Sequence, residues 1–244
     1  MIEESFAANF IPYVTNFLNN PGRINTGRKP ESFIQFYNGY DSRRDIERIQ
    51  DAPEGSVAVI NITGANRWSI IFCLVCMPLA SVLTYFTMKV FSFSLPTKVI
   101  IPYKEIPLMI VLYFLGAIPE EFGWTSTLTE PLTKEYGPIK AGIIIGGVWG
   151  VWHVIPWSWV HPVGWIAGMC LLNVLMRTAM IYAYVYGGKS LFTGLVFHTM
   201  INVTMGIFLN YGSHINTWIF SVWMAIILLS LIYFIKRESK ASKC

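Results

Sequence analysis

The hydrophobic positions of this chain fall into long blocks, not alternating stripes. From Trp68 onward, apolar runs recur, separated by short polar or Pro/Gly-containing breaks. A helix needs about 20 mostly apolar residues to cross a bilayer. The pattern predicts six such spans, at 68–91, 105–129, 140–157, 163–186, 190–211 and 216–235. The second is drawn long because EEFGWTSTLTE continues helix-like past its two acids until Pro131. That polar C-terminal half is unsuited to lipid and must pack against other helices.

Residues 1–66 hold no run of spanning length. Phe6, Phe10, Ile11, Tyr13, Val14, Phe17 and Leu18 suit one face of an interfacial helix. Asn20-Pro21-Gly22 signals a turn, and 56–63 (SVAVINIT) alternates weakly, as a short strand would. The predicted fold class is therefore all-α, a polytopic membrane helical bundle with about six transmembrane helices and a polar N-terminal extension. Its expected parts are an extension at 1–66, partly disordered or interfacial, a transmembrane domain at 67–236 and a basic cytoplasmic tail at 237–244.

Composition agrees with a membrane protein. Of 244 residues, 54% are hydrophobic and 13% charged, whereas soluble domains carry about 25% charged residues. The formal charge of +4 comes from basic residues flanking the apolar runs. That arrangement suits anionic headgroups of the lipid bilayer, and no nucleic-acid motif is present. Basic residues concentrate at alternate ends of the spans. One side has seven in the first 67 residues, then Lys134, Lys140, Lys189, Lys236, Arg237, Lys240 and Lys243; the other has Lys89, Lys98 and Lys104. This bias predicts a multi-pass protein with both termini cytoplasmic. Cys73 and Cys76 form a CxxC inside an apolar run, where the polar partners of a zinc or redox pair are absent.

Against this background, polar residues inside the spans stand out, because an ionised group in hydrocarbon costs several kcal/mol or more. Counted from the cytoplasmic end of each span, Glu120 lies roughly 15 Å deep, His153 roughly 20 Å, His198 roughly 12 Å, Asn202 roughly 18 Å and Arg177 roughly 14 Å. Groups in one such band face the bundle interior or a wet cavity and find each other. His198 and Asn202, four apart, share a helix face. Glu120 and Glu121 point about 100° apart, so one acid is expected at a site and the other in a structural contact. Pro119, just before them, removes a backbone donor and favours a kink.

A carboxylate, two imidazoles and a carboxamide suit amide hydrolysis without a covalent intermediate. The acid takes a proton from water and delivers it to the leaving amine; imidazole and carboxamide N–H groups stabilise an oxyanion. No nucleophile elbow and no HExxH occurs. A transporter would carry inverted repeats, and none is visible. His161 and His214 read as loop surface residues. Trp149, Trp152, Trp157 and Trp159 read as packing or interface residues.

Three segments in order, PEEFGWTSTL with Glu120 and Glu121, WGVWHVIP with Trp149 and His153, and LVFHTMINV with His198 and Asn202, resemble the motifs of the CPBP (CAAX protease and bacteriocin-processing, Abi/Rce-type) family of intramembrane proteases. The resemblance covers about residues 105–210. It implies a peptidase, a hydrolase of CAAX-protease type, in which Glu120 activates water with help from His153, and His198 and Asn202 hold the oxyanion. The substrate would be a peptide or a membrane-anchored protein, with prenylated CAAX tails among the candidates. Many relatives carry the label metalloprotease, so Glu120, His153 and His198 are the candidate ligands if zinc is used; metal-independent hydrolysis is the favoured expectation. Glu121, Arg177 and Trp124 are expected in supporting roles.

Two departures from the family pattern matter. The family arginine of EExxxR falls at Thr125, so Arg177 is the candidate to supply that charge to Glu121. One span precedes the first motif, where the family usually has more. The missing arginine keeps an alternative open, a catalytically silent family member acting in binding or bacteriocin immunity.

Overall fold

The computed structural model describes residues 64–241. The expectations placed on 1–63, including the interfacial helix, the turn at Asn20 and the short strand, lie outside the described residues. The elements of the described chain are all helical, with α1 at Arg67–Val90, α2 at Ile106–Glu121, a π-helical segment at Phe122–Thr129, α3 at Glu130–Ser158, α4 at Val163–Tyr186, α5 at Leu191–Tyr211 and α6 at Thr217–Ala241. Five helical stretches are long and apolar enough to cross a membrane, and the chain is an integral membrane protein.

The predicted second and third spans fall within one helical stretch, Ile106–Ser158. Its two halves nevertheless lie side by side. Trp149 Nε1 and Glu120 Oε2, 29 residues apart, are 3.3 Å from each other, whereas a straight helix would separate them by roughly 44 Å. The fold-back occurs at Gly137, with φ 79° and ψ 164°. Glycine alone enters that region freely, and the following Pro138 disfavours helix at the residue before it. The predicted loop at 130–140 is thus helical on both sides of one hinge residue. Pro131 does not end the helix as expected, because it sits in the first turn of α3, where its missing N–H is not needed.

A close seam joins α3 to α4. Gly142, Gly146 and Gly150 recur every four residues, and a Cβ on Gly146 would lie 2.7 Å from the Val174 Cα and 3.1 Å from the Arg177 Cβ. Small residues let membrane helices approach where no hydrophobic driving force exists between them. Burial ranks the helices. In their most apolar windows α4 and α5 are 67% and 61% buried, against 33% for α1 and 22% for α6. The polar residues singled out above thus sit on, or pack against, the two central helices.

On α1 the buried residues Cys73, Cys76, Met77, Ala80, Thr84 and Met88 form one stripe, while Leu74, Val75, Leu79, Val82 and Phe86 are exposed. Cys73 and Cys76 are core residues of that stripe. At the far end of α5 the backbone leaves helical geometry over Phe208–Asn210. There the Asn210 side chain accepts from Ile100 N–H at 2.6 Å and donates to the Lys98 carbonyl at 2.9 Å, tying the 91–105 connection to α5. Helix α6 continues to Ala241, so the basic tail begins as helix.

Candidate active site

Pro119 and the residues after the acid pair shape the local backbone. Beyond Glu121 the chain widens into π-helix, in which hydroxyls reach carbonyls five residues back: Thr127 to Phe122 at 3.0 Å and Thr129 to Trp124 at 2.9 Å. Single π turns inside α-helices occur frequently at functional sites. The two acids diverge as their 100° offset requires. Glu121 is fully buried, whereas Glu120 is exposed.

Glu121 is the hub of a buried polar cluster. Arg177, on α4 and fully buried, donates Nη1–H to Oε2 and Nη2–H to Oε1, both at 2.9 Å. His198 Nδ1, on α5, lies 2.8 Å from Oε1, and Thr125 Oγ1 donates to Oε2 at 2.5 Å. A two-pronged guanidinium–carboxylate contact is the geometry arginine is built for. Position 125, where the family has its arginine, therefore holds a hydroxyl donor, while the guanidinium arrives from another helix. Gly194 makes room for the Glu121 carboxylate and the Thr125 hydroxyl, since a Cβ there would stand 3.2 Å from the Glu121 Oε2 and 3.0 Å from the Thr125 Oγ1.

Trp149 links this cluster to the other candidates. Its indole Nε1–H donates to Glu120 Oε2 at 3.3 Å. The Arg177 guanidinium carbon lies 4.6 Å from its ring centroid, a cation–π arrangement. The His198 ring meets it edge-on at 5.3 Å and the His153 ring at 5.7 Å. The backbone carbonyl of Trp149 is 2.8 Å from His153 Nδ1. A carbonyl only accepts, so Nδ1 carries the proton and Nε2 of neutral His153 presents a lone pair. By the same logic His198 donates through Nδ1 to Glu121 and turns Nε2 away from it.

Beside Trp149 a cavity of about 430 Å³ opens among α3, α4 and α5, lined by His153, Asn202, Asn173, Trp157, Trp165 and their neighbours. Glu120 is not part of that lining and joins it through Trp149. His153 stacks on Trp157 at 5.1 Å, Trp157 meets Trp165 edge-on at 5.7 Å, and His161 stacks on Trp165 at 3.6 Å. His161 is thus half-buried cavity wall and not the plain surface residue expected; its burial holds the imidazole pKa below the usual value. Trp149, Trp157 and Trp165 also line this cavity, so tryptophan packing here doubles as wall. Trp124 packs among buried apolar residues away from the lining.

Zinc would need several of these donors at one point. Among the described residues no three His, Cys, Asp or Glu side chains gather closely enough to hold a metal ion, so Glu120, His153 and His198 do not form a ligand set. The residue that spacing alone missed is Trp149. Its contacts with Glu120, Arg177 and His198 all span more than 25 residues of sequence, and its only local signal is the WxxxH spacing to His153. Trp149→Phe keeps an aromatic ring against Arg177 and His198 but removes the donor to Glu120. If Glu120 takes part in turnover, the variant is expected to fold normally and to lose about tenfold in kcat, the scale of one hydrogen bond to a charged group; paired thermal unfolding and kinetics check this.

A comparison with curated proteins found no match. Residues 102–204, the segment that carries Glu120, Glu121, His153, Arg177, His198 and Asn202, match the Rce1-like family of type II CAAX prenyl endopeptidases.

Proposed function

We propose that the protein is an intramembrane endopeptidase that hydrolyses a peptide bond with a water activated by Glu120 and His153. One observation carries the reading. Trp149 gathers the acid, both histidines and the guanidinium from four helical segments around one indole, next to a cavity walled by His153 and Asn202. Glu120 serves as the base, its carboxylate oriented by the indole N–H. His153, with Nδ1 bonded to its own helix, offers Nε2 to the same water. The tetrahedral oxyanion receives N–H donors from Asn202 and from His198. The proton taken up by Glu120 then passes to the leaving amine.

Glu121 and Arg177 have a different part in this reading. They hold His198 in position and do not touch the substrate. Substrates are peptides or membrane-anchored proteins, with prenylated CAAX tails the family-derived candidates, and both termini lie on the cytoplasmic side.

The test is cleavage of a peptide panel, including a farnesylated CAAX peptide, by the purified full-length protein, with Asn202→Ala in parallel. Removing one oxyanion donor costs about 10²–10³-fold in kcat. We expect wild-type cleavage and a loss of about 10²-fold in the variant. Cleavage that is indifferent to Asn202 would overturn the oxyanion assignment, and no cleavage of any peptide would overturn the peptidase reading.

A further inference from the structure

The residue the mechanism above leaves unused is Asn173. It lies on α4 one turn before Arg177, is 3% exposed, and its Nδ2 has no hydrogen-bond partner among the described residues. Buried amides are almost always bonded, and each unbonded one in a native protein asks for a reason. Asn173 is also part of the cavity wall, together with His153 on α3 and Asn202 on α5. The missing partner is therefore sought in whatever occupies that cavity.

The wall states the chemistry of the occupant. Among the described residues no Lys, Arg, Asp or Glu lines the cavity; its polar side chains there are those of His153, His161, Asn173, Asn202, Tyr211 and Ser213, set among tryptophans and methionines. Such a wall suits an uncharged segment with apolar side chains. A carboxamide can donate to a carbonyl and accept from an N–H, which makes it the natural complement of a peptide group. A site built to bond a polar group discriminates strongly against ligands lacking it, because its own buried donor is then left unpaired.

We propose that Asn173 is a substrate-binding residue, its carboxamide pairing with a main-chain peptide group of an uncharged substrate segment held in the cavity between α3, α4 and α5. The proposal rests on the peptidase reading for the identity of the substrate, but its test does not require turnover. Trp149, Trp157 and Trp165 line the same cavity, so occupancy is readable in intrinsic fluorescence.

The experiment titrates the full-length protein in detergent with the capped peptide acetyl-Leu-Ile-Val-amide, comparing wild type, Asn173→Leu and the control Leu229→Ala, with a thermal unfolding curve for each. Leucine matches asparagine in size and has no donor. We expect Asn173→Leu to bind at least tenfold more weakly than wild type at an unchanged or higher Tm, while Leu229→Ala, at an exposed position on α6 outside the cavity wall, binds as wild type does. Equal binding by Asn173→Leu would mean that water alone satisfies the amide, and would overturn the proposal. A lowered Tm would place the amide's bond within the fold and overturn it too, as would the absence of any response in wild type. The two readings separate cleanly. Peptide binding that is lost in Asn173→Leu, without cleavage of any panel member, sinks the peptidase reading and leaves Asn173 assigned. Cleavage with a KM indifferent to Asn173→Leu does the reverse.

Discussion

Glu120→Gln is expected to lower peptide cleavage by about 10²–10⁴-fold, the range of a positioned general base, with no change in the unfolding temperature. The physical argument lies in what surrounds the side chain. Glu120 is exposed on the helix, and its one hydrogen bond within the described residues is the acceptor contact to Trp149 Nε1 at 3.3 Å. Glutamine is isosteric and keeps an oxygen for that indole N–H, so packing and orientation survive while basicity is lost. The measurement is kcat at saturating peptide for the two proteins, alongside their melting curves. Unchanged kcat in a normally folded Glu120→Gln protein would remove Glu120 from the mechanism.

Arg177→Ala is the second large effect, and it falls on folding. The variant leaves the fully buried Glu121 carboxylate with only His198 and Thr125 as partners among the described residues. Breaking one side of a buried ion pair costs about 3–5 kcal/mol, a large share of a typical stability of about 5–15 kcal/mol. It also removes the cation from the Trp149 ring and opens a hole beside Gly146. The expected result is a much lower Tm in detergent and poor accumulation in the membrane.

Adding Thr125→Arg tests whether the charge or its address matters. Position 125 is four residues after Glu121, on the same helix face, and the space vacated by the Arg177 side chain is next to it. The double variant is expected to recover most of the lost Tm. A double variant as unstable as Arg177→Ala alone would show that the charge must come from α4.

The two acids of the PEEF segment illustrate how much was legible beforehand. Helical geometry guarantees that neighbours diverge by about 100°, so one of Glu120 and Glu121 had to face away from the other's surroundings. The absence of the family arginine at position 125, together with the depth of Arg177, pointed to the ion pair now seen at 2.9 Å. The WxxxH and HxxxN spacings placed His153 and His198 on buried or half-buried faces. Each of these inferences uses only distances along a helix, which the chain itself dictates. The span boundaries follow for the same reason, and those of α1, α4 and α5 agree with the observed helices to within a residue or so.

What the sequence by itself determined is the helical inventory, the membrane environment, and the polar residues that must be satisfied inside it, because hydropathy and the 3.6-residue repeat are local properties. Only the tertiary structure decided that the chain folds back at Gly137 while remaining helical on both sides, that a widened π turn follows the acids, and that Trp149 is the common neighbour of Glu120, Arg177, His153 and His198. Only it left the amide of Asn173 without a partner at the cavity wall. Those outcomes depend on how closely helices approach, and approach is set by small residues such as Gly146 and Gly194 facing particular side chains across the bundle. Pairings of that kind join residues far apart in sequence, and no local pattern encodes them.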